Sequence, residues 1–219
     1  MQVSIPAIPM REALHFLGWR GNPVEESILS QIRDIMGEVR TGLAANVIMR
    51  YADFGADRRL KDTVFTPQGN DVSDMLSSCH GAILMAATLG AQSERLLLRH
   101  QARSSAAALL MDAVLSAAIE AVCDEQECML REEYRQSGLY LTDRFSPGYG
   151  DMPLEQTKEI CAVLQTQKTI GLTVSHSGIM IPRKSVTAIL GVSDTEQKRR
   201  PSQCAFCSMN KTCALREIQ

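Results

Sequence analysis

An arginine just ahead of a Ser-Pro-Gly-Tyr-Gly turn, in Arg144-Phe145-Ser146-Pro147-Gly148-Tyr149-Gly150-Asp151, sets a fixed cation beside bare backbone amides and an aromatic ring. That set suits a zwitterionic ligand with a carboxylate and a flat base. Later comes Gly178-Ile179-Met180-Ile181-Pro182-Arg183-Lys184-Ser185, a second turn, with two cations and a hydroxyl. Taken alone, the first segment could still be an ordinary turn, with Arg144 in a local salt bridge and Tyr149 in the core.

Asp112, Ser116 and Glu120 fall at i, i+4 and i+8, so they form one polar line on an otherwise apolar helix. A solvated face is the plain explanation. Because apolar residues occupy most other directions of this helix, the line is expected instead at an internal cleft, where an acid could pair with a ligand cation.

Cys204-x-x-Cys207-x5-Cys213, followed by Arg216, is the other specific signal. Thiolates held by a tight Cys-x-x-Cys turn can share one metal, and a third can join them. The fourth position is left to Cys79, Cys123, Cys128 or Cys161, to a histidine, or to an exchangeable ligand. Zinc and an iron–sulfur cluster both remain open on spacing. Cys123, Cys128 and Cys161 lie in expected helices, where core packing is the simpler role.

The segments at 144–151 and 178–189, in this order and at this separation, resemble the activation (reactivation) domain of cobalamin-dependent methionine synthase in its stand-alone form. The resemblance covers 144–191 most strongly, extends more weakly to 112–120, and adds little over the first sixty residues. It implies that the Arg144 segment binds S-adenosylmethionine, with Arg144 near the methionine carboxylate, Gly148 and Tyr149 against the ligand, and Pro147 shaping the loop. It also implies that Glu120 and Asp112 could face the amino or sulfonium cation. Met180, Lys184, Ser185 and His176 would lie toward the corrinoid. His176, in Val174-Ser175-His176-Ser177, departs from the Thr-Glu-Ser context common in the family. That change implies altered corrinoid contacts, a pH-sensitive group near cobalt, or a surface histidine in a turn.

The implied function is reductive methylation of cob(II)alamin on a separate corrinoid methionine synthase, as an accessory component in methionine biosynthesis. Flavodoxin or ferredoxin is the implied electron donor. The chain carries no Asp-x-His-x-x-Gly cobalamin signature, so the corrinoid is expected on a partner. The alternatives are an activator of another corrinoid methyltransferase, or a non-catalytic metal-binding adaptor of a corrinoid protein.

Positioning these groups falls to a chain of 219 residues with net charge −2, which gives no sign of a nucleic-acid or anionic-membrane surface. Seven cysteines without a leader favour reduced thiols in the cytoplasm. The apolar window 104–122 has a membrane-span length, but Asp112 and Glu120 interrupt it, so it reads as a packed helix.

Residues 1–192 are expected to form one activation-like domain, and 193–219 a charged connector with a cysteine-rich tail. Asn22-Pro23-Val24-Glu25 should start a helix with Ile28, Ile32, Ile35, Met36 and Val39 on its buried stripe. Alternation at Val47, Met49 and Tyr51 suggests a strand. Asp71 should start a helix through Cys79 and Ile83 that breaks near Gly90 and resumes to about His100. Ser104 or Ser105 caps a long helix to about Arg135, with Ala106, Ala113, Ala117 and Ala121 allowing close approach. A helix at 153–167 turns Leu154, Ile160 and Leu164 inward, and strands follow at 170–174 and 185–190 around a Pro182 turn. The class is α+β: a helical N-terminal half packed with a late antiparallel sheet.

Overall fold

The apolar run Ala82-Ile83-Leu84-Met85-Ala86-Ala87 lies at the centre of the fold as a strand, where a helix through Cys79 and Ile83 was expected. The structure is a computed structural model and describes residues 1–19, 21 and 23–197. Its elements are β1 (Gln2–Ser4), α1 (Met10–Phe16), α2 (Glu26–Gly42), β2 (Ala44–Asp53), α3 (Asn70–Met75), β3 (Gly81–Thr88), α4 (Gly90–Gln101), α5 (Ser105–Gln136), β4 (Tyr140–Leu141), α6 (Gln156–Leu164), α7 (Thr166–Thr169), β5 (Thr173–Val174), β6 (Met180–Ile181) and β7 (Ser185–Ser193).

The class is α+β, as expected, with an antiparallel sheet in the order β1-β2-β3-β7-β4. The sheet is not confined to late strands, because β1, β2 and β3 come from the first 88 residues. All eight residues of β3 are buried. Ile83, Met85 and Ala87 enter one core, and Ala82, Leu84 and Ala86 enter the other. A strand covered on both faces has no polar alternation, and Ala, Leu and Met are good helix formers, so local pattern pointed to the wrong element.

One face of the sheet packs against α1, α2, α4 and α5, and the other against α3 and α6. Helix α5 carries much of the first core through Met111, Val114, Leu115, Ala118 and Val122. Its start is fixed by Ser104, whose side-chain oxygen accepts from the Ala107 N–H at 3.0 Å. Ala113, Ala117 and Ala121 are buried as expected, whereas Ala106 is exposed. By length and composition α5 could cross a membrane, yet its apolar residues are the core of this fold.

Smaller differences have local causes. Helix α2 begins at Glu26 with Glu25 as its cap, beyond Pro23 and Val24, while Asn22 lies outside the described residues. Ile32, Ile35, Met36 and Val39 are buried as its stripe requires, and Ile28 is partly buried. Helix α6 starts only at Gln156, so Leu154 stays in the preceding turn and is exposed instead of inward. The late strands do not pair with each other: β5 pairs with β6 in a separate hairpin, and β7 joins the main sheet. A cis peptide at Ile181-Pro182 lies between that hairpin and β7.

Candidate functional site

The polar line of α5 continues past Glu120 through Asp124, Glu127 and Arg131, and two basic side chains from outside the helix, Lys184 and Arg144, lie along it. At its first end Lys184, just before β7, lies with its Nζ 2.8 Å from Asp112 Oδ1 and 2.8 Å from Ser116 Oγ. At its other end Arg144 meets three acids in succession. Its Nη2 is 3.4 Å from Glu120 Oε2 and 2.6 Å from Asp124 Oδ1, and its Nε is 3.0 Å from Glu127 Oε2.

Arg131 ties this line to the strand that delivers Arg144. Its guanidinium donates to the carbonyls of Leu141 at 2.5 Å and Thr142 at 2.7 Å, and it meets Asp143 Oδ1 at 3.1 Å. Its Nε and Nη2 also hold Glu127 Oε1. Phe145 then exchanges both backbone hydrogen bonds with Ile189 of β7, at 2.9 and 2.8 Å. Arg144 is therefore set by a sheet bridge on one side and by α5 on the other.

Charge in this cluster is unbalanced. Four carboxylates (Glu120, Asp124, Glu127, Asp143) face two guanidiniums (Arg131, Arg144), an excess of two negative charges. Burial raises the Glu120 carboxyl above its usual value, opposed by Arg144 and reinforced by Asp124. Burial also pushes the Cys123 thiol, beside Arg144, up to about 12. For Arg144, burial works against the charge, but Cys123, Glu120, Asp124 and Glu127 around it hold its pKa above the ordinary arginine value. Such a cluster can receive a ligand with both a carboxylate for the guanidinium and a cation for the surplus acids.

The loop after Arg144 is a built turn whose amides are already engaged, contrary to the bare amides expected. The Gly148 N–H donates to Met152 O at 2.9 Å, and the Tyr149 N–H to Ser146 O at 3.1 Å. Gly148 and Gly150 take φ of 90° and 53°, which glycine adopts without strain. Pro147 is buried, while the Tyr149 ring is about half exposed. Asp151 then fastens the loop to the start of α3, its Oδ2 accepting from Asn70 N–H at 2.7 Å and its Oδ1 from Asp71 N–H at 3.0 Å. These two backbone hydrogen bonds hold the Asp151 carboxyl below the usual range.

The second segment is spread over the hairpin and the start of β7. His176 is exposed in the turn between β5 and β6, and its carbonyl accepts from Lys158 Nζ at 2.6 Å. Met180 is partly buried against the second core. Lys184 is occupied by Asp112, about 12 Å along α5 from Glu120, so the structure groups Asp112 with Lys184 and Glu120 with Arg144. Ser185 is buried, its hydroxyl 2.7 Å from Pro182 O and 2.8 Å from Thr88 Oγ1. It supports the turn from within. Arg183 meets Glu94 of α4 through its backbone N–H at 2.8 Å.

Glu127, Arg131, Asp124 and Asp151 were missed as site residues. The first three carry the same i, i+3, i+4 spacing as Asp112, Ser116 and Glu120, so extending the line would have found them. Asp151 has no such signal.

Cys204, Cys207 and Cys213 lie outside the described residues. Among the described residues no group of three or more metal-ligating side chains is assembled. Cys79, Cys123 and Cys161 are buried, with burial raising each thiol, and Cys128 is exposed on α5, not packed in the core. A cavity of about 380 Å³ borders Asp143 on the α3 side. Met75 is its one apolar lining residue, a poor seat for an aromatic base.

No family model matches the chain. No curated protein matches it either. Among solved structures it is similar to the MetH reactivation domain, a crystal structure bound to AdoHcy (S-adenosylhomocysteine), with a TM-score of 0.67 at 15% sequence identity. The match covers 91% of this chain and 79% of that one. The chain has the fold of that reactivation domain.

Proposed function

We propose that this chain binds S-adenosylmethionine at the Arg144 cluster and supports reductive methylation of cob(II)alamin held by a separate corrinoid methionine synthase. The observation that carries this reading is Arg144, braced by Glu120, Asp124 and Glu127 of α5 and followed at once by the Ser-Pro-Gly-Tyr-Gly loop. The AdoHcy bound to the MetH domain is the demethylated form of that ligand, and the two chains share a fold.

In this reading Arg144 takes the ligand carboxylate, and Glu120 faces its ammonium or sulfonium. The half-exposed Tyr149 ring offers a surface for adenine. The hairpin turn with His176, together with Met180 and the Lys184–Asp112 pair, lies toward the corrinoid protein. A flavodoxin or ferredoxin supplies one electron to cob(II), and the resulting cob(I) accepts the sulfonium methyl group, leaving S-adenosylhomocysteine. The chain's own contribution is position: it holds the methyl donor in a fixed pose while the partner docks. Ser185 enters as a support of the turn, not as a corrinoid contact.

The cysteine tail is a separate part of the proposal. Cys204, Cys207 and Cys213 are proposed as metal ligands, for zinc or an iron–sulfur cluster. Metal analysis of anaerobically purified protein, native and with Cys204→Ser and Cys207→Ser, tests it, and equal metal content in both removes the site.

The activity is tested by mixing the chain with cob(II)-loaded methionine synthase, a reduced flavodoxin and methyl-labelled S-adenosylmethionine. Label on the corrinoid that depends on this chain supports the reading. Transfer only with a different corrinoid methyltransferase would move it to that partner. No transfer with either, despite stable docking, would leave an adaptor.

A further inference from the structure

The three acids around Arg144 do different work. Glu127 is the fixed brace: its side chain is 13% exposed, and its second oxygen is committed to Arg131. Glu120 stands off at 3.4 Å. Asp124 makes the shortest contact, 2.6 Å to Nη2, although its side chain is 68% exposed. A carboxylate so placed meets the largely enclosed Arg144 from the solvent side. Because it is already largely hydrated, it loses little on turning away.

We propose that Asp124 is an internal occupant of the Arg144 site, a side-chain carboxylate that holds Nη2 until the carboxylate of the incoming ligand displaces it. This rests on the reading of Arg144 as the carboxylate-binding group for S-adenosylmethionine. Asp124 is then a positioning residue that keeps Arg144 aligned in the empty state and sets a threshold for ligand entry. The ligand's cationic end is left to Glu120, so Asp124 acts only as the competitor for Nη2. Ligands without a carboxylate would not compete with it.

The test is calorimetric titration of the full chain, native and Asp124→Asn, with S-adenosylmethionine and with 5′-methylthioadenosine, which lacks the amino-acid group. Removing an exposed charge competitor should tighten S-adenosylmethionine binding by about two- to fivefold. Affinity for 5′-methylthioadenosine should not change. Asp124→Ala should give the same gain, and an unchanged thermal midpoint shows that each variant is folded. Unchanged or weaker S-adenosylmethionine binding in both variants overturns the exchange, because Asp124 then either ignores the ligand or binds its cation. An equal gain for both ligands also overturns it. If the native chain and both variants fail to bind S-adenosylmethionine, the reading of the site fails first, and the exchange fails with it.

Discussion

Glu127 holds Arg144 and Arg131 at once, one oxygen 3.0 Å from Arg144 Nε and the other 2.9 and 2.6 Å from Arg131 Nε and Nη2. The brace couples the helix that forms the first core to the residue proposed to meet the ligand. Its loss would leave two largely enclosed guanidiniums short of an acid. Glu127→Ala should therefore destabilise the chain by about 2 to 3 kcal/mol, below the full cost for a completely buried pair because some exposure remains. Denaturant titration measures this, and a loss under 0.5 kcal/mol, about that of a neutral surface change, would contradict the bracing role.

Asp151 makes a prediction with a definite sign in pH. Its carboxyl is held low in the folded state by the amides of Asn70 and Asp71. The unfolded chain therefore binds the proton at a higher pH than the folded chain does. The stabilisation is complete above the ordinary aspartate value of about 4 and is lost as pH falls through the depressed folded value. Asp151→Asn should flatten the stability profile below pH about 4 and lower stability at neutral pH, where the native carboxylate is charged. An unaltered acid limb in thermal melts would show that Asp151 does not anchor the loop.

Gly150 is constrained twice, by its φ of 53° and by the carboxylate of Asp71, against which an added Cβ would collide. Gly150→Ala should destabilise by at least about 1 kcal/mol. It should also weaken S-adenosylmethionine binding, because Tyr149 would move with the loop. Full stability and full affinity in this variant would show that the turn can adjust freely.

The local elements that carry the candidate site were more legible in the sequence than the sheet. The 3.6-residue period of α5, its Ser104 cap and the Asp112, Ser116 and Glu120 line are local features, and the structure places each of them. Arg144 beside a glycine turn was legible for the same reason. Strand β3 was not, because burial on both faces is a tertiary fact that removes alternation from the sequence. The pairing of Asp112 with Lys184 and the capping of α3 by Asp151 span 72 and 80 residues, beyond any local pattern. Leu154 faced outward because α6 starts two residues later, at Gln156.

Arg144 is proposed to bind the carboxylate of S-adenosylmethionine, and isothermal titration of the native chain and Arg144→Ala, both handled anaerobically, is the decisive measurement. Saturable binding by the native chain, with S-adenosylhomocysteine as comparison ligand, should weaken by about 1.5 to 3 kcal/mol in the variant, the worth of a charged hydrogen bond. Equal affinity in a folded variant, or no binding by the native chain even with the corrinoid partner present, would contradict the account.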